Sequence, residues 1–141
     1  MQQGDYAYRF TGHSIDNGYD HYLVGVGTMK LGTGGTIGGY QRTALTRLSG
    51  HDSALIIGSW SIDGSFAKHE NPYGEHDYSA RMTFTEQNPD NLERRQILEG
   101  TFSFVPISDK RIWVIATGGR ILSSNGEPIN EAVSGEAEWI S

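Results

Sequence analysis

The octet Tyr78-Ser79-Ala80-Arg81-Met82-Thr83-Phe84-Thr85 alternates apolar and polar residues without a break. Successive side chains of an extended strand point to opposite faces, so Tyr78, Ala80, Met82 and Phe84 share one side and Arg81 the other. A helix would scatter these residues around its circumference, and only a strand keeps the apolar set together. Leu98, Gly100, Phe102 and Phe104 repeat the pattern against Glu99, Thr101 and Ser103, and Tyr6, Tyr8 and Phe10 against Ala7, Arg9 and Thr11. One apolar and one wet face per strand is the signature of antiparallel sheet.

Further strands are expected at His21–Leu31, Gly39–Leu48, Ala54–Ile62, Ser65–His69, Arg111–Thr117 and Val133–Ile140. The dipeptides Asn17-Gly18, Asp63-Gly64 and Asn125-Gly126 accept the positive φ angles of tight hairpin turns, and Asp63-Gly64 is the strongest of the three. Asn88–Arg95 has the residues to cap a short helical turn but no apolar stripe, so a loop fits it equally well. Gly27-Thr28-Met29, Gly58-Ser59-Trp60 and Gly100-Thr101-Phe102 echo one another at unequal spacings, which fits strands that bend but not a solenoid. Eight or nine strands in 141 residues favour closure, because a closed sheet has no exposed edge. The expectation is an all-β chain whose residues 1–141 form a single antiparallel meander β-barrel of about eight strands.

Composition narrows the function classes. With no cysteine, the chain has no disulfide, thiol nucleophile or thiolate metal site. Acidic residues outnumber basic ones by 17 to 11, giving a net charge of −6. Nucleic-acid grooves rest on a basic footprint, so no nucleic-acid partner is expected. The longest apolar runs, Ala54–Ile57 and Ile112–Ala116, are far too short for a membrane span, and the first residues lack the basic and apolar regions of a signal peptide. This reads as cytoplasmic; a secreted mature form whose leader was removed would look the same. Oligomeric state is left open.

The Gly58-Ser59-Trp60 element, the meander and the length resemble the calycin group of lipocalins, fatty-acid binders and avidins. They also resemble the small barrels of allene-oxide-cyclase type. Lipocalins carry Gly-x-Trp on their first strand, whereas here it lies mid-chain. What the resemblance implies is a barrel with an interior ligand site, and in the cyclase-like case a cofactor-free cyclase or isomerase acting on a flexible unsaturated, polyketide- or oxylipin-like substrate.

Several motifs have a chemical reading and a plainer one. The glycine-rich stretch Gly25–Gly39 is not followed by a helix and lacks Gly-Lys-Ser/Thr, so it reads as a hairpin, able to act as a lid, rather than a phosphate loop. His69, Glu70, Glu75 and His76 could ligate a metal, but Asn71-Pro72-Tyr73-Gly74 between them reads as a turn, and no metal or cofactor is expected. Glu136 and Glu138 face water if Ala137 and Trp139 face inward. No serine sits in a nucleophile elbow, and His13, His21 and His51 are scattered.

The aromatic residues are the strongest pointer. Rings alone would simply fill a barrel, whereas inward tyrosines give an apolar cavity with polar handles, the character of a small-molecule site. The expected lining is Tyr8, Tyr40, Arg42, Trp60, Tyr78, Met82, Phe84 and Phe102, with Arg42 placed on the face of Tyr40 as a handle for an anion or carbonyl. Tyr8, Tyr40, Arg42 and Tyr78 are the catalytic candidates should the site turn over its ligand. The cavity mouth is expected beside the Gly32–Gly39 hairpin. The functional expectation is a binder of a small, largely apolar molecule; the alternatives are the cyclase or isomerase and a module that interacts through its outer surface.

Overall fold

In the computed structural model, residues 1–16, 19–47, 55–70, 76–89 and 92–141 are described. The turn signal Asn17-Gly18, His51, and the Asn71-Pro72-Tyr73-Gly74-Glu75 segment lie outside them. Nine strands follow in order: β1 (Gly4–Asp16), β2 (Tyr19–Leu31), β3 (Thr36–Arg47), β4 (Leu55–Glu70), β5 (His76–Glu86), β6 (Ile97–Ser108), β7 (Arg111–Ile121), β8 (Glu127–Pro128) and β9 (Ala132–Trp139). The described part of Asn88–Arg95 contains only the 3₁₀ turn Leu92–Arg94.

Neighbours in sequence pair antiparallel from β1 through β7, and β9 returns to pair with both β7 and β1. Eight strands thereby close into a meander barrel, and β8 is a two-residue stub on the rim of β7. The strand from Tyr78 and that from Leu98 pair face to face, with Tyr78 opposite Phe104, Ala80 opposite Phe102 and Phe84 opposite Leu98. Apolar faces alternate inward as expected: Tyr6, Met29, Ile62, Met82, Phe84, Phe104, Ile112 and Ala137 belong to one buried cluster. Arg81 is exposed on the outside.

Asp63-Gly64 is not a turn. Leu55–Glu70 runs as one strand through it, merging the two strands expected on either side. Asp63 pairs with Gly38 and Thr83, and Gly64 with Ile37 and Met82. A Cβ at Gly64 would collide with the Arg81 carbonyl, so glycine is there to let two backbones approach, not to reverse the chain. Asn125-Gly126 does turn, with φ of 53° and 71°.

The barrel is filled unevenly. At the end bearing the β2–β3 hairpin, Tyr6, Leu31, Ile37, Phe104 and Ile112 are all at most 2% exposed. Residues 1–3 cross this end: Met1 packs on the core, the Gln2 amide donates to the Asp109 carbonyl at 3.0 Å, and the Tyr6 hydroxyl donates to the Gln2 carbonyl. At the opposite end the inward residues Leu23, Leu98 and Val133 are only half-buried. If the packed end carries the stability, Phe104→Ala should cost about 3–5 kcal/mol by urea unfolding, as a fully buried phenylalanine does. A loss below ~1 kcal/mol would show that this end is not close-packed.

Candidate functional site

The space left by this uneven filling is an interior cavity of about 140 Å³. Its walls are mainly apolar: Phe10, Met82, Phe84, Leu98, Phe102 and Val114 are prominent among them. Two features of the sequence create it. Inward positions on β2 and β6 carry glycine rather than a bulky residue, and aromatic rings lie over those gaps. A Cβ at Gly27 would sit 2.7 Å from the Tyr8 hydroxyl oxygen, one at Gly25 would collide with the Phe10 ring, and one at Gly100 would lie 2.6 Å from the Phe102 ring. Tyr8 and Phe10 thus lie flat along β2, stacked at 6.2 Å, while Phe84 and Phe102 meet edge to face at 6.1 Å. The echo at Gly58 and Gly100 has the same cause, because Trp60 and Phe102 fold back over the glycine two residues before them.

The chief polar handle is Gln41, inward on β3 and 7% exposed. The Tyr8 hydroxyl donates to its Oε1 at 2.7 Å. Both side chains line the cavity. Burial pushes the Tyr8 phenol well above its ordinary pKa, so it stays a neutral donor committed to Gln41. The Gln41 Nε2 takes part in none of the hydrogen bonds among the described residues, which leaves an amide donor at the cavity wall.

Of the eight expected lining residues, the structure brings four together: Tyr8, Met82, Phe84 and Phe102. Trp60 and Tyr78 point inward without bordering the cavity. Trp60 is buried and donates to the Thr43 hydroxyl at 3.0 Å, and Tyr78 meets the Phe66 ring edge-on at 6.0 Å. Tyr40 and Arg42 are a correction: both are exposed on the outer face. The β2–β3 register puts Gly27 opposite Gln41, so Gln41, Thr43 and Leu45 take the inward parity with Ile37 and Gly39. The signal was the apolar pair Ile37 and Leu45, which share the parity of Gln41; reading from the Tyr40 ring selected the wrong face.

The mouth is a second correction. The glycine hairpin sits at the filled end, and Gly35 is tied to β4 by the Phe66 amide, which donates to its carbonyl at 2.8 Å. The cavity instead reaches toward the opposite end, where Leu23, Gly118, Ile129 and Glu131 border it. Glu131, which sequence reasoning passed over, shares the inward parity of Val133 and Gly135, and burial raises its carboxyl pKa.

Glu136 lies on the outer side, where Arg9 donates Nε to it at 2.8 Å and Arg111 reaches it at 3.4 Å. The Arg9 hydrogen bond and charge, aided by Arg111, hold its carboxyl below the usual range. That contribution is present above the ordinary glutamate range and is lost as acid protonates Glu136. Among the described residues no three His, Cys, Asp or Glu side chains gather as a metal site; Glu75 lies outside them, and His69 is exposed. No helix among them is long and apolar enough to cross a membrane.

No protein-family model matches the chain, and no curated protein or solved structure matches it significantly. The closed eight-stranded antiparallel barrel is consistent with calycin-like architecture.

The Tyr8–Gln41 bond predicts a specific non-additivity. Tyr8→Phe should cost about 1–3 kcal/mol, because it leaves a buried carboxamide oxygen without its donor. Adding Gln41→Leu should then cost much less than it does in the wild type. Strictly additive losses in a urea-unfolding cycle would mean the bond does not form.

Proposed function

We propose that the barrel binds one small, largely apolar molecule in its interior, with an acceptor oxygen of that molecule set against the Gln41 amide. The observation that carries this is the pairing of an apolar cavity with a buried glutamine whose nitrogen makes no hydrogen bond among the described residues. A donor at the cavity wall without a protein partner is free to hydrogen-bond a ligand oxygen. The cavity, at about 140 Å³, is close to the size that admits a single aromatic ring and well below the ~300 Å³ of drug-sized sites. A one-ring ketone fits this volume better than a polyketide or oxylipin chain. An interior ligand is also what the calycin resemblance implies.

The cyclase or isomerase reading has less support. Arg42 and Tyr40 face away from the cavity, and the Tyr8 hydroxyl is committed to Gln41 with its acidity suppressed by burial. The surface-module reading has one observation in its favour, an exposed apolar strip in which Val105 on β6 pairs with Trp113 on β7 beside Ile115.

Acetophenone and ethylbenzene differ chiefly in one carbonyl and serve as probes. Titration calorimetry should find both bound, with acetophenone about threefold or more tighter, as expected for one neutral hydrogen bond. Gln41→Leu should erase that preference. Ala116→Phe, which fills the cavity from β7, should abolish both. Absence of binding by either probe, or full affinity in a folded Ala116→Phe variant, would reject the interior site.

A further inference from the structure

Of the three glutamates that border the cavity, two are paired with arginine. Glu136 is held by Arg9 and Arg111, and Glu99 by Arg120 at 2.9 Å. Glu131 is half-buried on the cavity wall, yet it enters none of the ion pairs or side-chain hydrogen bonds found among the described residues. The charge that acts on it comes from His21, which lies on the inward parity of β2 at the same end. A carboxylate moved partly out of water with only that histidine's charge acting on it is under-solvated, and a bound cation restores what burial removed.

We infer that Glu131 makes the interior site selective for a cationic ligand: a small aromatic or aliphatic amine whose ammonium group sits at Glu131 while its apolar body enters the cavity. The inference rests on the interior binding site proposed above and names the class of its ligand. Two further observations agree with it. Phe84 and Phe102 present aromatic surface to the apolar body that enters the cavity. The chain carries a net charge of −6, which favours the approach of cations over anions. In the cavity Glu131 is the group placed to tell ammonium from methyl, and Gln41 the group placed to meet an oxygen further in.

Four one-ring probes of similar size separate charge from shape: toluene, benzyl alcohol, benzylamine and benzoate. At pH 7 and low salt, benzylamine should bind about tenfold or more tightly than toluene or benzyl alcohol, and benzoate should bind weakest. Glu131→Gln keeps the shape and removes the charge. It should bring benzylamine to within about twofold of benzyl alcohol, leave toluene unchanged and improve benzoate. Toluene affinity thus reports that the variant is folded with its cavity intact. If toluene binds but benzylamine has no advantage, or keeps its advantage in Glu131→Gln, the selectivity assigned to Glu131 is wrong while the interior site stands. If none of the four binds, the site itself is wrong and the inference falls with it.

Discussion

The return of β9 to pair with β1 on one side and β7 on the other is the contact on which the barrel depends. It places Trp139 opposite Tyr6 and Ala132 opposite His13, and on the other edge Glu138 opposite Arg111. Without it, β1 and β7 would each present an unpaired row of amides and carbonyls, and the inward faces would have no common interior. With it, every inward residue competes for one enclosed volume. An interior of eight strands is just wide enough for side chains to fill or for one small ligand to occupy. The ion pairs from Arg9 and Arg111 to Glu136 bridge the same three strands on the outside, where charge is cheap to keep in water.

Within that volume, the sizes of residues decide where empty space falls. Tyr6, Leu31, Ile37, Phe104 and Ile112 crowd one end, and residues 1–3 pass over it. Toward the other end glycines at 25, 27, 100 and 135 alternate with rings that lie flat over or beside them. Flat rings take up wall area but little depth. The cavity is the remainder, and its chemistry follows from polar side chains that border it, Tyr8 and Gln41 within and Glu131 toward the open end.

Alternation was legible wherever one parity was wholly apolar. Tyr78–Thr85, Leu98–Phe104 and Tyr6–Thr11 therefore announced their inward faces, and with them Tyr8, Met82, Phe84 and Phe102. In β3 both parities are mixed: Ile37 and Leu45 mark the inward one, the Tyr40 ring competes with them, and pairing with β2 settles it. That is why Tyr40 and Arg42 were expected inside and Gln41 was not considered. Asp63-Gly64 has strong local turn chemistry, yet Trp60, Ile62, Gly64 and Phe66 keep one parity straight through it. The unbroken alternation outweighed the dipeptide. Glu131 precedes its strand, so its inward position follows only from the register of Val133 and Gly135.

The central claim is that this barrel is filled at the hairpin end and holds an apolar, accessible space toward the other. Xenon enters dry apolar cavities of this size and reports their location without making specific polar contacts. Crystals held under xenon pressure should show one strong site bordered by Phe84, Leu98 and Phe102. Xenon between Tyr6, Ile37 and Phe104, or no xenon inside the barrel at all, would contradict the account.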